Sequence, residues 1–430
     1  MKKFLSLLLC IVCLFAFLGC DNNNEKKSSD NPPSPAEDVI PSDEKTLTYC
    51  MVKQNSSGFD TDELKTWGTT DNYNLQTSIT PVWTTKNVYN ETVSFIGKDD
   101  VATLMYTPTQ IYKVYDYFLQ KEYKEGEDFT VSGNKISLTE NTTINYWERK
   151  DYYYAGPQGS YTIKTDKGYL KFSEVVPNTH QICVCYEHSG KYMGVIPEAQ
   201  TDKFPNVNEK IKNGGTINIC VTGDSITKGC GSSGYIMTSE PARNNLPGGD
   251  SYVIAFPSYI NLVKEFIESK GVTVNLDNTA VGGSGVGNGV NQINNWSITP
   301  DLAIIAFGMN NAGKDTNSFY NETKALIDKV RTLNPNCEIL LVSSMIPNPE
   351  VLNWLGNISN FEKQSLLPLI DEYEKIGLAP VMSVSQGLYY KLGKKFEDLN
   401  SNSINHPNNF LHGIYAQTAL TVMFGNEYYK

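Results

Sequence analysis

Ile217-Asn218-Ile219-Cys220-Val221-Thr222-Gly223-Asp224-Ser225-Ile226-Thr227-Lys228-Gly229-Cys230-Gly231 is the stretch on which the reading of this chain turns. Residues 217–221 form a short apolar run with β-branched members, bounded by Gly214-Gly215 and Gly223, and so predict a buried strand. Glycine at 223 permits a sharp turn where that strand ends. A serine just past a strand end, here Ser225, can direct its hydroxyl into a crevice, although serine also serves as a helix N-cap. Gly-Asp-Ser alone does not decide between the two.

Downstream, strand-like runs alternate with helical ones. Residues 272–276, 302–307, 339–342 and 380–384 predict four further strands. Phe256, Tyr259, Ile260, Val263, Phe266 and Ile267 recur at helical spacing, with Gly271 where a C-terminal cap belongs. Residues 318–333 carry a second helical stripe, 360–376 a helix kinked by Pro368, and 413–424 a closing helix. Repeated β-α units force a parallel sheet with helices on both faces, and such sheets hold ligands beyond the carboxyl ends of their strands. Ser225, Gly282-Gly283-Ser284-Gly285, Gly308-Met309-Asn310-Asn311 and His406 all fall at those ends. Topology therefore brings a serine, glycines, an amide and a histidine to one edge, and these are the parts acyl transfer needs.

Gly223-Asp224-Ser225-Ile226-Thr227 resembles the first block of the SGNH (GDSL-type) hydrolase family. Asn278-Thr279-Ala280-Val281-Gly282-Gly283 is similar to the second block, Gly308-Met309-Asn310-Asn311 to the third, and His406-Pro407-Asn408 with Gly413 and Ala416 to the last. Four blocks in order, over about residues 216–430, are far more specific than any one. The resemblance implies a five-stranded flavodoxin-like parallel sheet flanked by helices. It implies Ser225 as nucleophile, His406 as its base, and an oxyanion hole from the Ser225 and Gly283 N–H groups and the Asn310 side chain. No metal or other cofactor is implied. His412, at the start of the final helix, reads as structural or capping. The chain departs from the pattern twice. Asn311 stands where the third block usually ends in Asp. Ser403 stands three residues before His406, where the family usually carries the Asp that orients the imidazole. Asn402, Asp398 or a backbone carbonyl is left to orient the ring.

Upstream the texture is different. Residues 46–206 hold short β-branched and aromatic runs broken by turn signals, including 92–96, 111–118, 161–163 and 181–186. Residues 131–136 read as a hairpin turning at Gly133-Asn134. These predict an all-β, sandwich-like accessory domain ahead of a hydrolase domain at 213–430, the two joined by a polar connector at 205–215. Trp83, Tyr112, Tyr115, Tyr117, Tyr146, Trp147 and Tyr152-Tyr153-Tyr154 fall in this region. Exposed, such rings stack on sugars; more often they fill a β core or cover an interface. His180 and His188 read as structural or surface histidines.

Residues 1–19 have the form of an export leader, with Lys2 and Lys3 before an apolar stretch too short to span a bilayer comfortably. Gly19 precedes Cys20, which resembles the acylated cysteine of a bacterial lipoprotein, although Phe17 is unusual at its position. Residues 20–45 are rich in Asn, Ser, Pro, Lys and Glu and read as a disordered tether. The expected location is the cell envelope, on a membrane through the lipid anchor alone. With 430 residues and a formal net charge of -11, the chain has no basic stripe, which argues against nucleic acid as a partner. An exported compartment permits disulfides, yet the spacing of Cys50, Cys183, Cys185, Cys220, Cys230 and Cys337 does not demand them. Cys183, Cys185 and Cys220 read as buried free thiols, and no zinc spacing is present.

The expectation is a serine esterase removing ester groups, most simply O-acetyl, from an exported glycan or a small ester. A lipase or thioesterase is the enzymatic alternative, and residues 232–251 would then be part of a lid. A non-catalytic glycan-binding lipoprotein with a decayed hydrolase fold is the other, favoured by Ser403.

Overall fold

The computed structural model describes residues 74–119, 121–158, 162–173, 176–238 and 256–430. The leader, Cys20, the tether and most of the 232–251 loop lie outside the described residues.

Among the described residues, the N-terminal region starts with a helical turn, Leu75–Ile79, and is then β-rich. Its strands are β1 (Asn87–Ser94), β2 (Val101–Thr103), β3 (Pro108–Asp116), β4 (Phe129–Ser132), β5 (Lys135–Leu138), β6 (Thr162–Thr165), β7 (Gly168–Lys171) and β8 (Gln181–His188). They form three small antiparallel sheets, ordered β1-β8-β3, β2-β5-β4 and β6-β7. β4 and β5 are joined at Gly133, whose φ of 60° lies in the left-handed region that glycine tolerates. Trp83, Tyr115, Tyr117, Trp147 and Tyr152 are buried, so most of the aromatic excess fills the interior.

Five parallel strands follow: β9 (Thr216–Gly223), β10 (Thr273–Asn278), β11 (Leu302–Ala306), β12 (Glu338–Val342) and β13 (Ile376–Ala379). Their order is β10-β9-β11-β12-β13. This is the flavodoxin-like arrangement, in which the strand order reverses between the first and third strands and opens a crevice there. Helices Tyr259–Ser269 and Asn409–Phe424 pack together, and helices Gly289–Asn294, Thr316–Leu333 and Leu352–Phe361 form another group. The closing helix is buried on every side through Met423, because the N-terminal region covers the face turned away from the sheet.

Three local expectations need correcting. The fifth strand is Ile376–Ala379, and residues 381–386 are helical; Pro380 ends the strand and stands as the helix N-cap. The polar connector is a helix, Pro205–Asn213. The carboxylate that caps it comes from far along the chain: Glu338 accepts the N–H groups of Asn206 at 2.5 Å and Val207 at 2.9 Å. Finally, Pro368 sits in the first turn of helix Leu367–Glu372, where a missing N–H costs little, directly after a π-helical turn, Glu362–Leu366.

One hydrophobic core runs without a break from the N-terminal strands into the five-stranded sheet. Across that join lies a fully buried charge cluster. The Lys394 ammonium donates to Glu91 at 2.8 Å and to the carbonyls of Thr92 at 2.8 Å and Thr103 at 3.1 Å, with an Asp398 oxygen 3.5 Å away. Glu91 also accepts the Tyr186 hydroxyl at 2.5 Å and the Met105 N–H at 2.9 Å. Burial raises the Glu91 carboxyl above the usual carboxylate range, and the ammonium opposes this. Cys183, Cys220, Cys230 and Cys337 are buried free thiols. Cys185, expected to be free, is instead disulfide-bonded. Its side chain shares a buried strand with Cys183, and nothing in the spacing marked it out.

Candidate active site

β9 ends at Gly223, and a Cβ there would lie 2.7 Å from the Ala306 carbonyl of the neighbouring strand. The strand end is clamped by the buried Gln292. Its side-chain oxygen accepts the Thr222 hydroxyl at 2.7 Å and the Gly223 N–H at 2.8 Å, and its amide returns to the Gly223 carbonyl at 3.0 Å. Asp224 then caps a single helical turn, Ser225–Lys228, accepting the Ile226 N–H at 3.0 Å. Burial pushes the Asp224 carboxyl up to about 6, against the Ile226, Thr227 and Met309 N–H groups and the His406 imidazole, which favour its charged form.

Ser225 opens that turn, and its hydroxyl lies 2.9 Å from Nε2 of His406. Both residues are only 4 % exposed. The pair joins positions 181 residues apart. His406 is delivered by a tightly tied loop. The Asn402 side-chain oxygen accepts the N–H groups of Ile404, Asn405 and His406 at 3.0, 2.9 and 3.1 Å, and its amide donates to Asn405 at 3.1 Å. These bonds fix the backbone under the imidazole. Asp398 accepts the N–H of Ser94, in the N-terminal region, and that of the nearby Lys395, at 2.8 Å each. Both side chains proposed to orient the ring are therefore committed to backbone amides. Ser403 has a φ of 67° and passes its N–H to Asn400 at 2.6 Å. The family's Asp position is thus a left-handed turn in this chain.

The other two strand ends converge on the same place. Gly283, with φ of 72°, turns the loop after β10. Asn278 ties that loop to the serine turn, its amide donating to the Thr227 carbonyl at 3.0 Å. After β11, Gly308 has a φ of 147° and leads into the turn Met309–Asn311. The Asn310 amide donates one hydrogen to the Ser284 carbonyl at 3.1 Å, which leaves the second for another acceptor. The Asn311 oxygen accepts the Val286 N–H at 3.2 Å, so this residue holds the second loop. His412 is buried and uses both ring nitrogens: Nδ1 accepts the Tyr259 N–H at 3.3 Å, so Nε2 is the donor to the Cys230 carbonyl at 3.2 Å. Burial drives it down to about 3, and it stays neutral as a structural residue.

Three contributors carried no readable signal in sequence. Gln292 sits in an ordinary helical stretch. Gly231 has a φ of 95°, and a Cβ on it would lie 2.1 Å from the Pro407 carbonyl, next to His406. Phe172, just past β7, meets the His406 ring edge-on, with centroids 5.7 Å apart at 79°. Nearby, the Ser173 N–H reaches the Asn402 carbonyl at 3.5 Å. The N-terminal region thus contributes a wall to the site. Among the described residues no group of three or more His, Cys, Asp or Glu could hold a metal ion.

The model of the GDSL-like Lipase/Acylhydrolase family matches residues 221–375. No curated protein matches the chain. Solved structures with a similar fold include a two-domain esterase active on acetylated mannans, co-crystallized with mannopentaose, at 19 % identity and a TM-score of 0.38. That match covers 52 % of this chain and 53 % of the other, about half its length. A member of the lipolytic protein G-D-S-L family from Veillonella parvula matches at 18 % identity and a TM-score of 0.35, over 48 % of this chain and 97 % of that one. An acetyl-xylooligosaccharide esterase variant from Geobacillus Stearmophilus matches at 15 % identity and 0.37, over 49 % and 95 %.

Proposed function

We propose that the protein is a carboxylic ester hydrolase of the GDSL-like lipase/acylhydrolase type, whose family model matches residues 221–375, and that it uses Ser225 and His406 to remove O-acetyl groups from an exported glycan. The observation that carries the chemistry is the 2.9 Å contact between the Ser225 hydroxyl and His406 Nε2. A serine hydroxyl is a weak nucleophile until a base takes its proton. His406 accepts that proton as Oγ attacks the ester carbonyl, then passes it to the departing sugar alkoxide. Ser225 is left acetylated. The same imidazole deprotonates water for the second attack, then returns that proton to the Ser225 oxygen as acetate leaves. In each half-reaction the carbonyl oxygen gains negative charge. The N–H groups of Ser225 and Gly283 and the uncommitted hydrogen of Asn310 are the donors assigned to it.

The glycan part is supported by the rings the N-terminal region carries to the seam, Phe172 at the imidazole among them. The exported, lipid-anchored setting belongs to the proposal through residues 1–19 and Cys20; Cys20→Ala is expected to abolish incorporation of labelled palmitate, and undiminished labelling would remove the anchor from it. For the chemistry, a fluorophosphonate probe is expected to label Ser225 in the folded protein. Ser225→Ala is expected to lose that label and to lower kcat/KM on p-nitrophenyl acetate by at least about 10³-fold. A wild-type protein that neither labels nor cleaves this ester would overturn the Ser-His reading. Acetate release from acetylated xylan, pectin or peptidoglycan tests the substrate; cleavage of long-chain acyl esters with no acetate released from any of the three would replace glycan by lipid.

A further inference from the structure

A cleft of about 1030 Å³ opens between the N-terminal region and the hydrolase domain. Arg149, Tyr153 and Lys167 line one side; Glu350, Tyr389 and Tyr390 line the other. The two adjacent tyrosines stand on a π-helical turn, Gly387–Lys391, closed by the Leu392 N–H on the Gly387 carbonyl at 3.1 Å. Such turns are rare and concentrate at functional sites. The Tyr389 and Tyr390 rings meet edge-on at 4.8 Å, and Tyr390 is 61 % exposed where the other described aromatics are mostly buried or half-buried.

Of the cations lining the cleft, all but Lys150 are in ion pairs among the described residues. Arg149 meets Asp99 at 2.7 Å, Lys167 meets Glu350 at 2.5 Å, and Lys395 meets Asp100 at 2.5 Å. The Tyr153 hydroxyl also donates to Glu350, at 2.9 Å. Paired charges leave little net field to draw an ionic ligand, yet they offer donors and acceptors side by side. Exposed ring faces beside such groups suit a ligand with apolar faces and hydroxyl edges. The volume reaches the upper end of small-molecule sites, which is room for several pyranose units. The cleft is also mechanically joined to the catalytic loop. Asn348 in its wall donates its amide to the Ser403 carbonyl at 2.8 Å and its N–H to the Ile404 carbonyl at 3.0 Å.

We propose that this cleft binds a neutral oligosaccharide of several units, with Tyr389 and Tyr390 as its stacking platform, and so holds the chain whose acetyl group reaches Ser225. That last link rests on the esterase reading; binding itself does not. The test is calorimetric titration of the full chain carrying Ser225→Ala with xylohexaose, mannohexaose and cellohexaose. At least one is expected to bind, and adding Tyr389→Ala and Tyr390→Ala is expected to weaken it about tenfold or more, the scale of one lost stacking contact. Tyr390→Ala alone, at an exposed position, gives the same readout if the double variant unfolds. No binding by any of the three sugars, or equal binding by the tyrosine variants, overturns the proposal. Binding of polygalacturonate in place of all three neutral sugars overturns it as well. The esterase reading is scored separately, by p-nitrophenyl acetate hydrolysis in the unmodified protein, so either can fail without the other.

Discussion

Asn310, proposed above as an oxyanion donor, already has part of its amide engaged. One amide hydrogen is held by the Ser284 carbonyl at 3.1 Å, which fixes where the second points. Asn310→Ala is therefore expected to lower kcat on p-nitrophenyl acetate by about 10²–10³-fold with KM little changed, in steady-state kinetics. Asp224 has a different signature. Its carboxyl is raised by burial to about 6 from an ordinary 3.8. Between those values the folded protein holds a proton the unfolded chain has released. Its contribution to stability is thus present at the acid side and is lost as pH rises through the window. In urea unfolding from pH 4 to 7, the stability of the wild type minus that of Asp224→Asn is expected to fall by at most about 3 kcal/mol and then level off. A flat difference would show that Asp224 titrates normally. At this scale the placement of Ser225, Gly283 and Asn310 just past strand ends was legible, whereas His406 lies well beyond β13, past helical turns, and was legible only through the His406-Pro407-Asn408 block it heads. The part Asn402 plays was not legible: its oxygen holds three backbone N–H groups of the histidine loop, which no sequence spacing distinguishes from contact with the ring.

Elements were read well where their periodicity is undiluted and poorly where a distant group completes them. β9, β11 and β12 are short apolar runs flanked by turns, and they lie where expected. β13 was misplaced by four residues because Pro380-Val381-Met382 looks as apolar as the true strand. The helix Pro205–Asn213 reads as a linker in sequence because its cap, Glu338, is 132 residues from Asn206. Gly231 belongs to the same class. Its φ of 95° and its closeness to the Pro407 carbonyl let the segment after the serine turn run against the histidine loop. Gly231→Ala is expected to displace that loop, lowering kcat/KM on p-nitrophenyl acetate by about 10²-fold, since small misplacements of reacting groups carry that penalty. Its melting temperature should fall too, and an unchanged activity would show that the loop can move aside at no expense to the Ser225–His406 contact.

For the whole molecule, the sequence boundary near residue 206 marks a change of texture rather than a break in the core. The β region and the hydrolase sheet share one interior, and Lys394 is solvated by groups from both. Lys394→Met would leave Glu91 and Asp398 buried without their cation. The expected loss is about 3–5 kcal/mol of unfolding free energy, measured by denaturant titration, with both regions melting in one transition. Two separate transitions would show that the regions are independent.

The buried cluster also sets an order of events during synthesis. Glu91 is made 303 residues before the cation that neutralises it. The first β-strands leave the ribosome with a carboxylate that has no counter-ion and with aromatic faces awaiting a sheet not yet translated. The final packing of those strands therefore waits for the last tenth of the polypeptide, and until then their edges and aromatic faces are open to pairing with one another.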